Sequence, residues 1–334
     1  MTRAAVFGPG NWGTAFGMVL ADAGTEVTLC GRRPDLIQSI NVDRQNPDYL
    51  PGIILPDGMS ATTDPAEALD GAGIVVLAVP SQTLRANLST WAGLAGPETV
   101  FVSLMKGIEL GTCMRMSEVI AECSGAGPDR IAVVSGPNLA HEIVRRMPAG
   151  TVVASADQST AERLQKACHT PYLRPYTSTD VIGCELGGAV KNVIGLAAGM
   201  ADGMGFGDNA KGTLITRGLA ETTRLGVAAG ADPYTFAGLA GLGDVVATCG
   251  SSLSRNHMFG VHLGRGLSVA ETSELVRETA EGVKSCRSVL ELAERHGVDM
   301  PIARAVVGVV HEGHSPKEML ATLMARTAKS EALY

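Results

Sequence analysis

Apolar positions change their period near the middle of the chain. Over the first half, short apolar runs recur at 3–7, 26–30, 73–79, 99–104, 131–134 and 151–154. Runs such as Ile74-Val75-Val76 are unbroken and β-branched, the pattern of strands buried on both faces of a sheet. Helical spacing fills most of the gaps, and this alternation predicts a parallel, doubly wound α/β sheet. From about Asp180 the rhythm becomes helix after helix, over 183–200, 210–226, from 269 past 272, and 283–296. Pro171, Pro175 and the run Thr177-Ser178-Thr179-Asp180 interrupt the apolar pattern between the two halves. The expected organisation is a sheet domain at 1–178 and an all-α domain at 179–334, with no internal repeat.

Composition narrows the function more than the fold. With 334 residues, 45% hydrophobic and 18% charged, the chain is long and apolar enough for a sizeable core. Only 4% is aromatic and the formal charge is −7, which argues against base-stacking platforms and against binding nucleic acid or anionic membranes. The seven cysteines are scattered, odd in number and without a CxxC pair, so they read as reduced thiols of a cytoplasmic protein. No leader pattern and no apolar run of about 20 residues is evident, so neither secretion nor membrane insertion is expected. The sequence allows a homodimer without specifying one.

Gly8-Pro9-Gly10-Asn11-Trp12-Gly13 follows the first predicted strand and opens an apolar helix. GxGxxG in this strand–turn–helix setting is a dinucleotide-binding turn. Gly8, Gly10 and Gly13 permit a tight turn and close approach to a pyrophosphate, and the helix N-terminus supplies N–H groups. The sheet is therefore expected to be Rossmann-type. NAD binders usually carry an acid at the end of the second strand, for the ribose hydroxyls. Here that place holds Arg32 and Arg33, with no acid until Asp35. The two arginines suit a 2′-phosphate, so NADP(H) is favoured and NAD(H) tolerated; the bland alternative is a pair of solvated residues opening a helix.

Two further loops follow predicted strands, Ser103-Leu104-Met105-Lys106-Gly107-Ile108-Glu109 and Ser135-Gly136-Pro137-Asn138-Leu139-Ala140-His141-Glu142. Both fall at the sheet's carboxyl edge, where ligands bind in such folds. Glu185-Leu186-Gly187-Gly188-Ala189-Val190-Lys191-Asn192 opens a helix apolar nearly all round, in which Lys191 is the only charge between Glu185 and Asp202. Such a helix is normally buried, and burial lowers the pKa of a lysine, making Lys191 a candidate general base for an alcohol proton. Asp244 is placed to orient or neutralise it. Ser254-Arg255-Asn256 is a compact donor set for a phosphate. His141 and His257 read as scaffold and Cys249 as a bystander. His311-Glu312-Gly313-His314 has the wrong spacing for a zinc helix, so no metal is expected.

Together these motifs resemble the soluble, nicotinamide-dependent sn-glycerol-3-phosphate dehydrogenase family over nearly the whole chain. The resemblance rests on Leu104 to Glu109, Gly136 to Ala140, Glu185 to Asn192, Asp202 to Lys211, Gly241 to Asp244, and Ser254 to Asn256. It implies interconversion of sn-glycerol 3-phosphate and dihydroxyacetone phosphate, feeding glycerophospholipid synthesis. It implies Lys191 as proton acceptor, and Lys106 as a contact for both substrate and cofactor. Gly136, Asn138, Asn192, Asp244, Thr248, Ser254, Arg255 and Asn256 would line the substrate site. Asn11, Trp12, Arg32, Arg33, Ala140, Arg255, Thr279 and Glu281 would touch the cofactor. Pro9, Asn11, Asn138 and Thr279 depart from the usual family residues without removing a catalytic group. Two other readings stay open: a dehydrogenase of another phosphorylated or phosphonylated alcohol, and a cofactor-sensing protein without turnover.

Overall fold

The computed structural model describes residues 2–276 and 280–327. The chain divides into two compact units, Met1–Met105 with Met116–Val181, and Lys106–Arg115 with Ile182–Tyr334. This differs from the expected 1–178 span in two respects: residues 106–115 leave the first unit and belong to the second, and the boundary falls after Val181 rather than after Ser178.

The first unit is built on an eight-stranded sheet in the order β3-β2-β1-β4-β5-β6-β7-β8. β1 (Arg3–Phe7), β2 (Glu26–Cys30), β4 (Ile74–Leu77), β5 (Val100–Ser103), β6 (Ile131–Ser135) and β7 (Ala149–Ser155) occupy the apolar runs. β3 (Met59–Thr62) and β8 (Leu173–Ser178) lie at the two edges. Neither edge strand carries an apolar run, and β8 contains Pro175, which an edge strand tolerates because it need not donate on both sides. The first six strands have the order 3-2-1-4-5-6 of dinucleotide-binding folds. The sheet is not wholly parallel. β6 and β7 run antiparallel, Val133 opposite Ala154, because only a one-turn helix, Ala140–Ile143, stands between them.

Chain reversal in strand order falls between β1 and β4, and the glycine turn sits there. Gly8 has φ +99°, and a Cβ on it would lie 2.7 Å from the Ala78 carbonyl oxygen after β4. A Cβ on Gly13 would meet Gly8 O at 2.1 Å. Only glycine fits at either position, so the turn presses helix α1 (Asn11–Asp22) end-on towards the switch point.

The second unit is helical, and its core helix runs Val181–Gly203. This helix is long and apolar enough to cross a membrane, contrary to the expectation that no such run exists. However, 83% of its apolar window is buried inside the protein, which marks a core element. It packs through glycines. A Cβ on Gly199 or Gly203 would lie 2.0 or 2.2 Å from His257 O or Val261 O, and one on Gly260 or Gly264 would lie 2.2 Å from Leu196 O or Met200 O. The helices Val181–Gly203 and Arg255–Gly264 therefore touch main chain to main chain. Segment 106–115 joins this unit as a small excursion closed by an Ile108–Arg115 bridge. Ile108 and Cys113 are buried in its core, and the Arg115 guanidinium donates to the buried Glu185 carboxylate at 2.7 Å.

Candidate active site

The second unit brings together Lys106, Lys191, Asp244 and Thr248. Lys191 sits mid-helix, and its burial follows from the apolar surroundings noted in the sequence. Asp244 opens the helix Asp244–Gly250 after a π-helical turn, Leu239–Gly243, which aims its side chain inward. Lys106 Nζ donates to Asp244 Oδ2, and Lys191 Nζ lies 3.2 Å from Asp244 Oδ1. Lys191 Nζ also donates to Thr248 Oγ1 at 2.8 Å, one helical turn beyond Asp244. The side chains of Lys106, Lys191 and Asp244 are only 14%, 13% and 3% exposed, so two ammonium groups face one carboxylate in a poorly solvated site.

Burial pulls the Lys106 ammonium down from the usual 10.5 to about 8; Asp244 pulls the other way, and Lys191 adds like-charge repulsion. Burial by itself would raise the Asp244 carboxyl, but Lys106 and Lys191 outweigh it and hold the carboxyl below its usual range. The sequence pointed to one buried lysine; the structure holds two on one carboxylate.

Asn192 and Asn256 do not simply point into open space. Asn192 Nδ2 donates to Lys106 O at 3.0 Å, and Asn192 Oδ1 accepts from Asn256 Nδ2 at 2.9 Å. Asn256 Oδ1 in turn accepts from Gly282 N at 2.9 Å. A backbone N–H at one end and a carbonyl at the other fix both amide orientations. The relay fastens the Lys106 backbone to the start of the helix Glu281–Arg295, whose first residue is the expected cofactor contact Glu281. Thr279, another expected contact, lies outside the described residues. Ser254 caps the helix Arg255–Gly264 by accepting from His257 N at 3.3 Å, which leaves its own hydroxyl proton to donate. Arg255 is the first residue of that helix. His257 Nε2 meets Asp202 Oδ2 at 2.8 Å, and Lys211 Nζ meets the same oxygen at 2.9 Å.

The remaining expected residues lie in the first unit. Gly136 has φ +118°, reserved for glycine, and precedes Asn138, whose Nδ2 donates to Thr151 Oγ1 at 3.1 Å. Asn138 Oδ1 is buried without a hydrogen-bond partner among the described residues. Ala140 opens the short helix Ala140–Ile143. His141 Nε2 lies 3.4 Å from Asn11 Nδ2. The glycine turn fits a dinucleotide. Gly10 caps α1 without a side-chain bond, no acid occupies the first turn, and Trp12 Nε1 is buried without a partner among the described residues. A Cβ on Gly10 would meet nothing nearer than the Tyr49 ring at 4.0 Å, so the main chain is open to a ligand there. Arg32 is exposed and forms no ion pair among the described residues. Arg33 instead contacts Asp35, and its Nη1 lies 2.5 Å from Asp48 Oδ2. Asp48 is absent from the sequence reading, since nothing in a loop's pattern says which strand end it approaches. No group of three His, Cys, Asp or Glu suited to a metal occurs among the described residues, and His311 Nε2 lies 2.9 Å from Val283 O.

A dinucleotide-binding sheet together with a helical unit carrying a buried Lys–Asp–Lys cluster defines a nicotinamide-dependent dehydrogenase. Residues 3–161 match the profile for the N-terminus of NAD-dependent glycerol-3-phosphate dehydrogenase, and 180–321 match that for its C-terminus. A glycerol-3-phosphate dehydrogenase, NAD(P)+ type, from Streptomyces avermitilis is 68% identical over 98% of both chains. Its counterpart from Thermobifida fusca is 62% identical over 99% of both. The crystal structure of the Coxiella burnetii glycerol-3-phosphate dehydrogenase superposes with a TM-score of 0.93 at 34% identity, covering 97% of this chain and 99% of that one. The chain belongs to the NAD-dependent glycerol-3-phosphate dehydrogenase family.

Proposed function

We propose that Lys191 exchanges the proton on the C2 oxygen as this oxidoreductase interconverts sn-glycerol 3-phosphate and dihydroxyacetone phosphate with NAD(P)(H). The observation that carries this reading is the count of donors. An ammonium has three N–H groups. Asp244 and Thr248 take two from Lys191, which has no further partner among the described residues, so one is left for a substrate oxygen. The bound nicotinamide supplies or accepts the hydride; the chain's own residues manage the proton and the charge. Two ammonium groups against one carboxylate leave a net positive charge, which opposes the negative charge growing on the ketone oxygen during reduction. Lys106 contributes that charge, and Asp244 holds both lysines in register. Arg255 and the Ser254 hydroxyl bind the phosphate, with Gly136 and Asn138 supplying further contacts. Asn192 and Asn256 position Lys106 through their relay and offer their remaining valences to substrate.

Lys191→Met tests the assignment. Turnover followed at the nicotinamide absorbance should fall by roughly 10²–10⁴, the range for one acid–base group, with cofactor affinity unchanged. A kcat near the parent value would remove Lys191 from the chemistry. One observation favours a second reading, in which Lys106 carries the proton, because burial brings it to about 8. The pH–rate profile separates the two: if Lys106→Met abolishes a limb near pH 8 that Lys191→Met retains, Lys106 is the proton carrier.

Cofactor choice follows the two arginines. Arg32 offers an exposed guanidinium to a 2′-phosphate, which supports NADPH as the preferred reductant with NADH also accepted. Six buried thiols and the partly exposed Cys123, all free, suit the reducing cytoplasm.

A further inference from the structure

Arg33 is one of two arginines assigned above to the ribose 2′ position, yet it already has two anionic partners. Its Nη2 meets Asp35 Oδ2, its Nε lies 3.4 Å from Asp35 Oδ1, and its Nη1 lies 2.5 Å from Asp48 Oδ2. Asp35 is a near neighbour in sequence, so its pairing is local. Asp48 arrives from a separate loop, and that loop is anchored to the cofactor turn. The buried Asn46 donates through Nδ2 to Pro9 O at 2.9 Å and to Thr14 Oγ1 at 2.8 Å. Leu50 N closes back on Asn46 O at 2.8 Å, Leu50 is fully buried, and a Gln45–Ile54 bridge ties off the base. Asp48 is therefore held within a short arch between two anchored residues, which fixes its main chain beside Arg33 while the two paired side chains remain about half exposed.

Arg32, Arg33, Asp35 and Asp48 sum to zero formal charge. A 2′-phosphate carries close to two negative charges and would have to displace one carboxylate while sitting beside the other. A 2′-hydroxyl carries none and can donate to a carboxylate. We propose that Asp48 is a cofactor-specificity residue: by holding the Arg33 guanidinium it keeps the 2′ subsite near neutral, so the chain accepts NADH beside NADPH. This rests on the reading of the two arginines as the 2′ subsite.

Calorimetric titration of the purified chain with NADPH and with NADH, without substrate, tests the idea independently of turnover. Asp48→Asn should tighten NADPH by about fivefold, the scale of one exposed ion pair, and change NADH by less than about twofold. The same substitution in an Arg33→Ala background should lose most of that effect. An unchanged ratio of the two dissociation constants in Asp48→Asn overturns the proposal. So does an undiminished gain without Arg33, since Asp48 would then be repelling the phosphate directly. The double variant Arg32→Ala/Arg33→Ala distinguishes the underlying reading. If it leaves the ratio untouched, the arginine assignment fails and Asp48's role with it. If it collapses the NADPH advantage while Asp48→Asn does nothing, the arginines stand and the Asp48 role alone is wrong.

Discussion

Asp244→Asn removes the carboxylate that Lys106 and Lys191 share while keeping nearly the same shape. Its effect on stability can be worked from the Lys106 ammonium, which titrates near 8 in the folded protein against 10.5 in an unfolded chain. In the parent, the unfolded chain binds a proton between pH 10.5 and 8 that the folded chain refuses. Stability therefore falls as pH falls through this window, by about 1.4 kcal/mol per pH unit. Below about 8 the folded chain takes up the proton too, and the loss stops at roughly 3 kcal/mol. Asp244 is what limits that loss, because its attraction and its hydrogen bond both favour the charged lysine. In the variant only burial and repulsion from Lys191 remain, so Lys106 stays neutral to lower pH and stability keeps falling below pH 8. The gap between parent and variant should widen as pH falls below 8, by at most about 1.4 kcal/mol per pH unit, beyond any constant offset. Urea unfolding of both proteins at pH 6, 7, 8, 9 and 10 measures it. A gap that is constant across this range, or that narrows below pH 8, refutes the reasoning.

Two further predictions address other parts of the second unit. Arg255→Ala should raise KM for dihydroxyacetone phosphate by the loss of a charge-assisted bond worth about 1.5–3 kcal/mol, while unphosphorylated dihydroxyacetone should be penalised far less. Equal losses with both substrates would move Arg255 away from the phosphate. Glu221 is buried and accepts from Ile302 N at 2.8 Å and Ala303 N at 3.3 Å, capping the helix Pro301–Glu312. Burial pushes its carboxyl from 4.5 up to about 7. The folded chain then binds the extra proton, so stability present below pH 4.5 is lost as pH rises through 7, in total roughly 3 kcal/mol. Glu221→Gln lacks that slope, so its melting temperature relative to the parent should rise between pH 5 and pH 8 in scanning fluorimetry; a constant difference would count against the shift.

What the sequence disclosed depended on how local each signal was. β4, β5 and β6 are almost wholly apolar and buried on both faces, which runs such as Ile74-Val75-Val76 announce, while β1 and β2 begin on exposed Arg3 and Glu26 before turning apolar. β3 and β8 are edge strands that bury little, and Pro175 reads as a break until the neighbouring strand is known. Lys191 stood out because it is one charge in an apolar helix. Asp244 and Lys106 were legible as candidates too, but the sharing of Asp244 by Lys106 and Lys191 was not, since Lys106 follows a sheet strand and nothing local says that its loop joins the helical unit. Arg115 and Glu185, 70 residues apart, show why: the tie holding that loop is an ion pair between distant segments. The same limit hid Asp48. Spacing alone read Arg33 as available, and only the arch built on Asn46 brings a second acid to it.

The glycine contacts between the helices Val181–Gly203 and Arg255–Gly264 turn the site into a fixed gauge. Lys191 stands one turn before this seam on one helix, and Arg255 stands at the head of the other. Where two helices meet through side chains, a change of rotamer or the loss of a methylene lets them drift together or apart. Here main-chain atoms already touch, so the separation of the Lys191 and Arg255 backbones is fixed at the seam, and only their two long side chains can adjust the distance between the charged ends. If Lys191 and Arg255 play the roles proposed above, no repacking at the seam could lengthen their backbone separation for a longer substrate. Changes of substrate length in relatives of this chain should therefore be found in the residues projecting from the two helices, with the glycines between them left alone.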